Sequence, residues 1–224
     1  RTVMSGGPRK LVVLADELGL PELEAIYFGV NASKATATKV EDLVRISGDI
    51  ERRMGLRNLD FYIRRAIVQS VAFAYEQVRE QLQQELGAAV AAMRYALILN
   101  VAAQHAKAGE VLDKAVQAYR SQLAPDHPTL LEALQLQSST LASQGRSSEA
   151  REIAEQVLKL RQANVGAARG VDAGAALRAL AQAQANLGEV LSSMGRQEEA
   201  DQLHAAALQT FGKAFPSGDH ECMA

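Results

Sequence analysis

The feature that most constrains this chain is a fixed spacing of small residues around a glycine-arginine pair, which occurs twice within residues 126–208. One small residue lies seven positions before the glycine, and a second lies five positions after it. The three positions are filled by Ser138, Gly145 and Ala150 in the first copy and by Gly188, Gly195 and Ala200 in the second. The repetition indicates one structural unit written twice.

This spacing has a physical reason in helix geometry. Seven residues are close to two helical turns, so the first small residue is expected on the helix face that packs against the second helix of the hairpin. Two antiparallel helices approach closely only where both carry small side chains. The glycine suits the left-handed backbone that often ends a helix. Each copy is therefore predicted to be a helix, a tight turn and a second helix.

The second copy resembles a tetratricopeptide repeat. The residues that carry the resemblance are Leu187-Gly188, Gly195-Arg196, Glu199-Ala200 and Ala207. The chain also resembles the kinesin-light-chain type of this repeat, in the segment Pro125-Asp126-His127-Pro128 and in the helix asparagines Asn100 and Asn186. The resemblance covers about residues 97–208 and implies an all-α fold of antiparallel hairpins stacked as a right-handed superhelix. An unrelated alanine-rich bundle of antiparallel helices fits the same spacing.

Four hairpins are predicted, at about residues 40–86, 88–123, 128–163 and 175–214, as a repeat domain spanning residues 40–224. Residues 1–39 are expected to form an N-terminal helical segment with a mobile start (1–9) and a short helix at Lys10–Leu18. In the first hairpin, an apolar stripe predicts one long helix, Asn58–Leu86, of about 43 Å. Asp60 occupies the position where a small residue is expected, so we expect the first hairpin to be a degenerate repeat.

The predicted turn glycines are Gly55, Gly109, Gly145 and Gly195. Their separations are 54, 36 and 50 residues, and only the second is near the period of about 34 residues that is typical of these repeats. The long last interval contains Asn164–Ala175, which reads as a linker or as an extended helix end. The array is therefore expected to be irregular.

Composition excludes several classes of function. The formal net charge is −2, from 24 basic and 26 acidic residues, which gives no argument for nucleic acid or for an anionic membrane. The longest weakly charged run, Leu86–Ala106, contains Arg94 and Asn100, so no membrane span is predicted. The single cysteine, Cys222, fits a reducing intracellular compartment, either cytoplasm or an organelle interior. A first residue of Arg1 fits either a processed protein or a fragment.

No constellation of residues points to catalysis. The four histidines are not at metal-ligand spacing, and His127 is expected to start its helix beside Pro128. The chain contains no Gly-x-Ser-x-Gly motif and no phosphate-binding loop. We therefore expect no enzyme activity, no cofactor, no metal and no small-molecule substrate.

The resemblance implies a concave surface, lined by the first helix of each hairpin, that holds a peptide or helix of a partner. The residues placed on that face by their spacing from the turn glycines are Glu132, Gln135, Ser139, Ser143, Gln182, Glu189 and Ser193. The lysine and asparagine pattern of repeats that clamp a carboxylate is missing. The small, neutral lining suits an extended or helical segment.

A second candidate surface is basic. Its residues are Arg52, Arg53, Arg57, Arg64 and Arg65. They could dock an acidic partner or RNA, or they could form a solvated face paired with neighbouring acids. The predicted function is a non-enzymatic adaptor or scaffold for other proteins. The alternatives are a structural subunit of a large assembly, and an enzyme or its regulatory fragment.

Overall fold

The computed structural model describes residues 2–4, 11–13, 20–34, 40–82, 86–168 and 171–214. The chain divides into two compact units, Arg1–Gln104 and His105–Ala224. This division does not coincide with the predicted domain boundary between residues 39 and 40. The predicted mobile start falls partly on the first strand (2–4) and otherwise, like the C-terminal tail (215–224), lies outside the described residues.

The first unit begins with two short strands and continues with helices. Its elements are β1 (Thr2–Met4), β2 (Leu11–Val13), α1 (Leu20–Gly29), a 3₁₀ turn (Ala32–Lys34), α2 (Val40–Arg53), α3 (Leu56–Val78), a second 3₁₀ turn (Arg79–Gln81) and α4 (Leu86–Val101). The strands are antiparallel, with Val3 opposite Val12. The predicted helix at Lys10–Leu18 is wrong over Leu11–Val13, because a short apolar run that contains two valines pairs as a strand.

The long helix predicted at Asn58–Leu86 is also wrong, because α3 ends at Val78. Val78 has φ −119° and ψ −3°, and Leu82 N donates to Arg79 O at 3.4 Å in the tighter 3₁₀ turn that follows. Leu82 is nevertheless buried, with 5% of its surface exposed. The apolar stripe therefore runs through the break, and its period could not reveal where the helix stops.

The first hairpin, α2 and α3, turns at Gly55 with φ +80°, as predicted. Asp60 lies five residues later, where the other hairpins carry a small residue. Its Oδ1 atom accepts a hydrogen bond of 2.6 Å from Ala32 N. Asp60 therefore holds the preceding 3₁₀ turn, which explains why this repeat departs from the pattern.

The second unit consists of five helices in its described residues. They are α5 (His105–Gln122), α6 (Pro128–Ser143), α7 (Ser147–Ala167), α8 (Val171–Ser193) and α9 (Gln197–Ala214). Each helix packs against the next along the chain, and α6 also lies against α8. The all-α hairpin architecture predicted for this region is confirmed. Within the range predicted to be a linker or an extended helix end, α7 continues to Ala167 and α8 begins at Val171, so the described residues are mostly helical.

The two turns that organise this unit have the predicted geometry. Gly145 and Gly195 have φ values of +78° and +76°. In each turn the following arginine closes the helix end, since Arg146 N donates to Leu141 O at 2.9 Å and Arg196 N donates to Leu191 O at 3.0 Å. The small pairs of both hairpins are buried. In the first pair, Ser138 Oγ also donates to Ala150 O at 2.9 Å.

Each turn is followed by the same arginine-glutamate clamp. Arg146 donates two hydrogen bonds to Glu149, at 2.8 and 2.6 Å, and Arg196 donates two to Glu199, both at 2.6 Å. The bonds from Arg146 hold the pKa of Glu149 below its ordinary value. The clamp therefore orders the first turn of α7 and of α9. The start of α6 is also set locally, because His127 Nδ1 accepts from Thr129 N at 3.2 Å, which confirms the predicted capping role.

The predicted turn at Gly109 is wrong, because Gly109 lies inside α5. The turn before α5 is at Ala103, which has a φ of +57°. Ala103 N donates to Asn100 O at 2.9 Å, and Gln104 N donates to Leu99 O at 2.8 Å, as in the glycine turns. Counted from Ala103, the seven-before and five-after positions are Ala96 and Ala108, and both are fully buried. The spacing rule therefore holds with alanine at the turn.

Gly109 has a different role, which is to leave room for Gln144. The Gln144 side chain crosses α5 and donates from Nε2 to His105 O at 2.7 Å. A Cβ atom on Gly109 would stand 2.6 Å from that nitrogen. Gly109 thus permits a direct tie between the end of α6 and the start of α5.

Replacing Ala103 by glycine is expected to raise the free energy of unfolding by about 0.5–1 kcal/mol. A left-handed backbone costs an alanine about 1–2 kcal/mol, and part of the gain is lost to the greater freedom of glycine in the unfolded chain. Chemical denaturation would measure the change. The control is Ala102→Gly in the same turn, where φ is not positive and glycine should not stabilise. Equal effects of both replacements would contradict the explanation.

None of the described helices is both long enough and apolar enough to cross a membrane.

Candidate functional site

A shallow cleft of about 300 Å³ lies along the seam between α6 and α8. Its lining residues are Ser139, Ala142, Ser143, Asn186, Glu189, Val190 and Ser193. Both helices come from the first half of a hairpin, so the cleft lies on the face that the sequence predicted to be concave. The helices meet here through side chains of modest size, which leaves the seam open at the end near the turns.

Four of the seven predicted groove residues line this cleft: Ser139, Ser143, Glu189 and Ser193. Two others lie further along the same seam, where Gln135 Nε2 donates to Gln182 O at 3.4 Å. The seventh, Glu132, is exposed on α6 and lies outside the cleft lining.

Three lining residues were not in the predicted groove set, Ala142, Asn186 and Val190, and Asn186 is the polar one. Only 6% of its surface is exposed, and its Nδ2 atom donates to Ser139 Oγ at 2.7 Å. Its spacing from Gln182 and Glu189, four and three residues, places it on the same helix face and could have identified it. Asn186 and Ser139 together form a polar bridge between α6 and α8 at the base of the cleft.

The serine hydroxyls of the cleft are held by their own helices. Ser143 Oγ donates to Ser139 O at 3.0 Å, and Ser193 Oγ donates to Val190 O at 2.7 Å. Ser193 Oγ also lies 3.2 Å from Ser147 Oγ at the start of α7. These hydroxyls keep free lone pairs that can accept from a ligand. Glu189 is the single charged residue of the lining, so the cleft is small, polar and weakly acidic.

Glu132 lies in a different environment, near polar groups of α5 and α7. Burial raises the pKa of Tyr119 to about 12, and the negative charge of Glu132 adds to this effect. Burial lowers the pKa of Arg161, whereas Glu132 opposes that shift. Arg161 Nη2 also donates to Pro128 O at 3.3 Å. The charge of Glu132 on α6 therefore partly offsets the effect of burial on the pKa of Arg161 on α7.

The five arginines of the predicted basic patch do not form one uniform surface. Arg52 forms an ion pair with Asp49. Arg64 donates to Val30 O at 2.9 Å and to Tyr27 O at 3.3 Å, so it holds the end of α1. The other three, Arg53, Arg57 and Arg65, have exposed side chains. They make no ion pair within the described residues.

Each of the three histidines that the structure describes makes a contact within the fold. His127 caps α6, the carbonyl of His105 accepts from Gln144, and the ring of His204 lies against Gly188. In the part of the chain that the structure describes, no group of three or more His, Cys, Asp or Glu side chains is placed to hold a metal ion.

The repeat geometry agrees with comparisons to known families. Two family models described as tetratricopeptide repeat match residues 87–163 and 180–220, and together they span more than half of the chain. The chain belongs to the tetratricopeptide repeat family. The matched ranges contain the turns at Ala103, Gly145 and Gly195, so the turns found in the structure are those of the family's repeats.

Several solved structures are similar to this tetratricopeptide repeat protein at low identity. Podosopora anserina repeats described as putative kinesin light chain share 17% identity, with a TM-score of 0.44, over 78% of this chain and 97% of that one. A single-substitution form of the same repeats shares 16% identity, with a TM-score of 0.45, over 79% of this chain and 98% of that one. BtubC (BKLC) from P. vanneervenii shares 14% identity, with a TM-score of 0.33, over 88% of this chain and 92% of that one. These similarities are too distant to carry an argument about function. No curated protein matches the chain significantly.

Proposed function

We propose that this tetratricopeptide repeat protein is a non-enzymatic interaction module that holds an extended or helical segment of a partner protein in the α6–α8 cleft. Tetratricopeptide repeats generally mediate protein–protein interaction. The observation that carries the proposal is the convergence of four predicted concave-face residues, with Asn186, in one cleft. Repeat proteins commonly use such concave surfaces to bind extended ligands.

The chemistry of the cleft suits a peptide. Ala142 and Val190 supply apolar contact, while the serine hydroxyls can accept hydrogen bonds from peptide N–H groups. The volume of about 300 Å³ is at the small end of the range for ligand pockets, roughly 300–1,000 Å³. The cleft would therefore anchor a short part of a longer segment rather than enclose a whole molecule.

Photo-crosslinking in native extract tests this proposal. A photoreactive amino acid at Ser193, which lines the cleft, is expected to crosslink to one partner segment that mass spectrometry identifies. The control position is Gln156, which is exposed on α7 and does not line the cleft. Filling the cleft with Ser143→Trp should lower the crosslink yield from Ser193 at least about tenfold, as expected for a loss of roughly 1.4 kcal/mol.

A matched Gln156→Trp replacement should leave the yield from Ser193 unchanged. Circular dichroism should show the same helix content and melting temperature for both tryptophan variants, since Ser143 and Gln156 are exposed. Crosslinking that is as strong from Gln156, or that persists in Ser143→Trp, would overturn the proposal.

One observation favours the alternative of a structural subunit. Ten of the twelve large hydrophobic side chains that are exposed among the described residues lie between Ile26 and Val90, in the first unit. Extensive apolar surface is typical of permanent interfaces. Under this alternative, the protein would co-purify in fixed stoichiometry with one assembly and would aggregate when expressed alone.

A further inference from the structure

Steps of four residues along α3 place five exposed side chains in one row. We name this row the α3 ridge, and its residues are Arg57, Phe61, Arg65, Gln69 and Phe73. Residues four apart form a continuous ridge on a helix surface, which is the unit that interdigitates when two helices pack. The exposed fractions are 59% for Phe61 and 67% for Phe73, and Tyr62 lies beside Phe61 with 54% exposed.

The exposure of these aromatic rings does not result from a shortage of other core residues on α3. The opposite face carries Ile67, Val71 and Tyr75, which are all buried. Tyr75 packs against Tyr95 of α4, with ring centroids 5.2 Å apart. The core face of α3 is therefore already filled within its own unit. Clustered apolar side chains left on the surface of a helix mark an interaction site.

Within the described residues, the charged side chains of the α3 ridge are two arginines. Arg57 and Arg65 form no ion pair there. The two carboxylates of α3 are engaged elsewhere, since Asp60 accepts from Ala32 N at 2.6 Å and Glu76 pairs with Arg79 at 3.1 Å. Nearby Glu51 accepts from Leu56 N at 2.8 Å. The ridge therefore presents one arginine on each side of Phe61, with Phe73 further along the helix.

We propose that the α3 ridge is a docking surface for an amphipathic helix of a partner protein that carries carboxylates beside large apolar side chains. The apolar side chains would cover Phe61 and Phe73, and the carboxylates would pair with Arg57 and Arg65. Arginine forms bidentate pairs with carboxylates, which fixes orientation as well as adding affinity. This surface is separate from the α6–α8 cleft and lies in the other unit.

Two other occupants fit the ridge less well. In a two-fold contact between copies of this chain, the same positively charged ridge would face itself, and neither copy's ridge would supply a carboxylate for the arginines. For nucleic acid, affinity comes mainly from many phosphate contacts, about 6–10 in typical complexes, and the ridge offers two uncommitted cations. An acidic amphipathic helix satisfies both the charge and the apolar surface.

Fluorescence anisotropy with the full chain tests the proposal. The probe is a labelled helical peptide of roughly 18 residues, with leucines on one face and glutamates flanking them. We expect saturable binding that weakens as salt rises, because the ion pairs are exposed. The double variant Arg57→Glu/Arg65→Glu should weaken binding at least about tenfold, and Phe61→Ala/Phe73→Ala should have a similar effect.

The matched control is Lys114→Glu/Arg120→Glu, which changes the net charge equally at exposed positions of α5 and should leave binding unchanged. A peptide with glutamine in place of glutamate should bind at least about tenfold more weakly. The Ser143→Trp variant should bind the probe normally, because it blocks only the cleft. Failure of the probe to bind, or binding that ignores Arg57 and Arg65, would overturn the proposal.

Two further outcomes would assign the ridge to another occupant. Tighter binding of a single-stranded oligouridylate than of the acidic peptide would assign it to RNA. A dimer in analytical ultracentrifugation that Phe61→Ala/Phe73→Ala dissociates would assign it to a second copy of the chain. Either result would overturn the proposal of an acidic helix.

Discussion

Replacing Gly188 by leucine is expected to lower the free energy of unfolding by about 1–3 kcal/mol. Gly188 on α8 lies directly under the imidazole of His204 on α9. Even a Cβ atom would stand 2.8 Å from His204 Cε1 and 2.9 Å from Nε2. The leucine side chain would force the ring and then the two helices apart. Urea denaturation, read as a change of midpoint at constant slope, measures the effect.

The first repeat supplies a matched control for this prediction. Fifty residues earlier, the positions of Gly188 and His204 are held by Ser138 and Ala154. There a larger residue on the first helix is matched by a smaller one on the return helix, and both are buried. The pair Gly188→Ser/His204→Ala should therefore be more stable than Gly188→Ser alone. A leucine variant with an unchanged midpoint, or a pair that shows no recovery, would contradict this account.

Ala200→Leu is expected to have a destabilising effect of similar size, about 1–3 kcal/mol. Ala200 is fully buried on α9, in a cluster with Ala154, Leu187 and Leu191. The cluster joins three helices, so added bulk cannot be absorbed by moving one of them alone. Thermal and urea denaturation would measure the loss of stability.

The control for Ala200→Leu is Ala205→Leu on the same helix. Ala205 is exposed, and leucine has a helix propensity close to that of alanine, so the change should stay within about 0.5 kcal/mol. Equal losses at both positions would show that leucine disturbs α9 itself and not the contact between helices.

The sequence predicted those parts of the fold that depend on local geometry. A glycine at positive φ and two small residues at fixed distances are enough to specify a hairpin, and both Gly145 and Gly195 form the predicted turns. The end of α3 was missed because Leu82 continues the apolar stripe after the helix has stopped. The turn before α5 was missed because Ala103 supports a left-handed backbone that usually requires glycine.

The candidate cleft could be predicted in part for the same reason. Helix periodicity fixes which face a residue occupies, so the sequence predicts a shared surface for Ser139 and Glu189, and both line the cleft. The helix spacing also assigns Asn186 to this face, but its burial and its bond to Ser139 depend on the neighbouring helix and do not follow from the spacing. The five arginines of the basic patch have different roles because of contacts between residues distant in sequence. Arg64 donates to the carbonyls of Tyr27 and Val30, and the spacing of residues along a helix cannot predict such contacts.

The turn at Ala103 has a consequence for how such chains are recognised. The bend carries a side chain, whereas the alanines at the two flanking positions, 96 and 108, are fully buried. A search pattern keyed to glycine will undercount hairpins in divergent members, whereas one that scores the flanking pair will still detect them. We therefore expect related chains to vary more at the bend than at its two buried flanking positions.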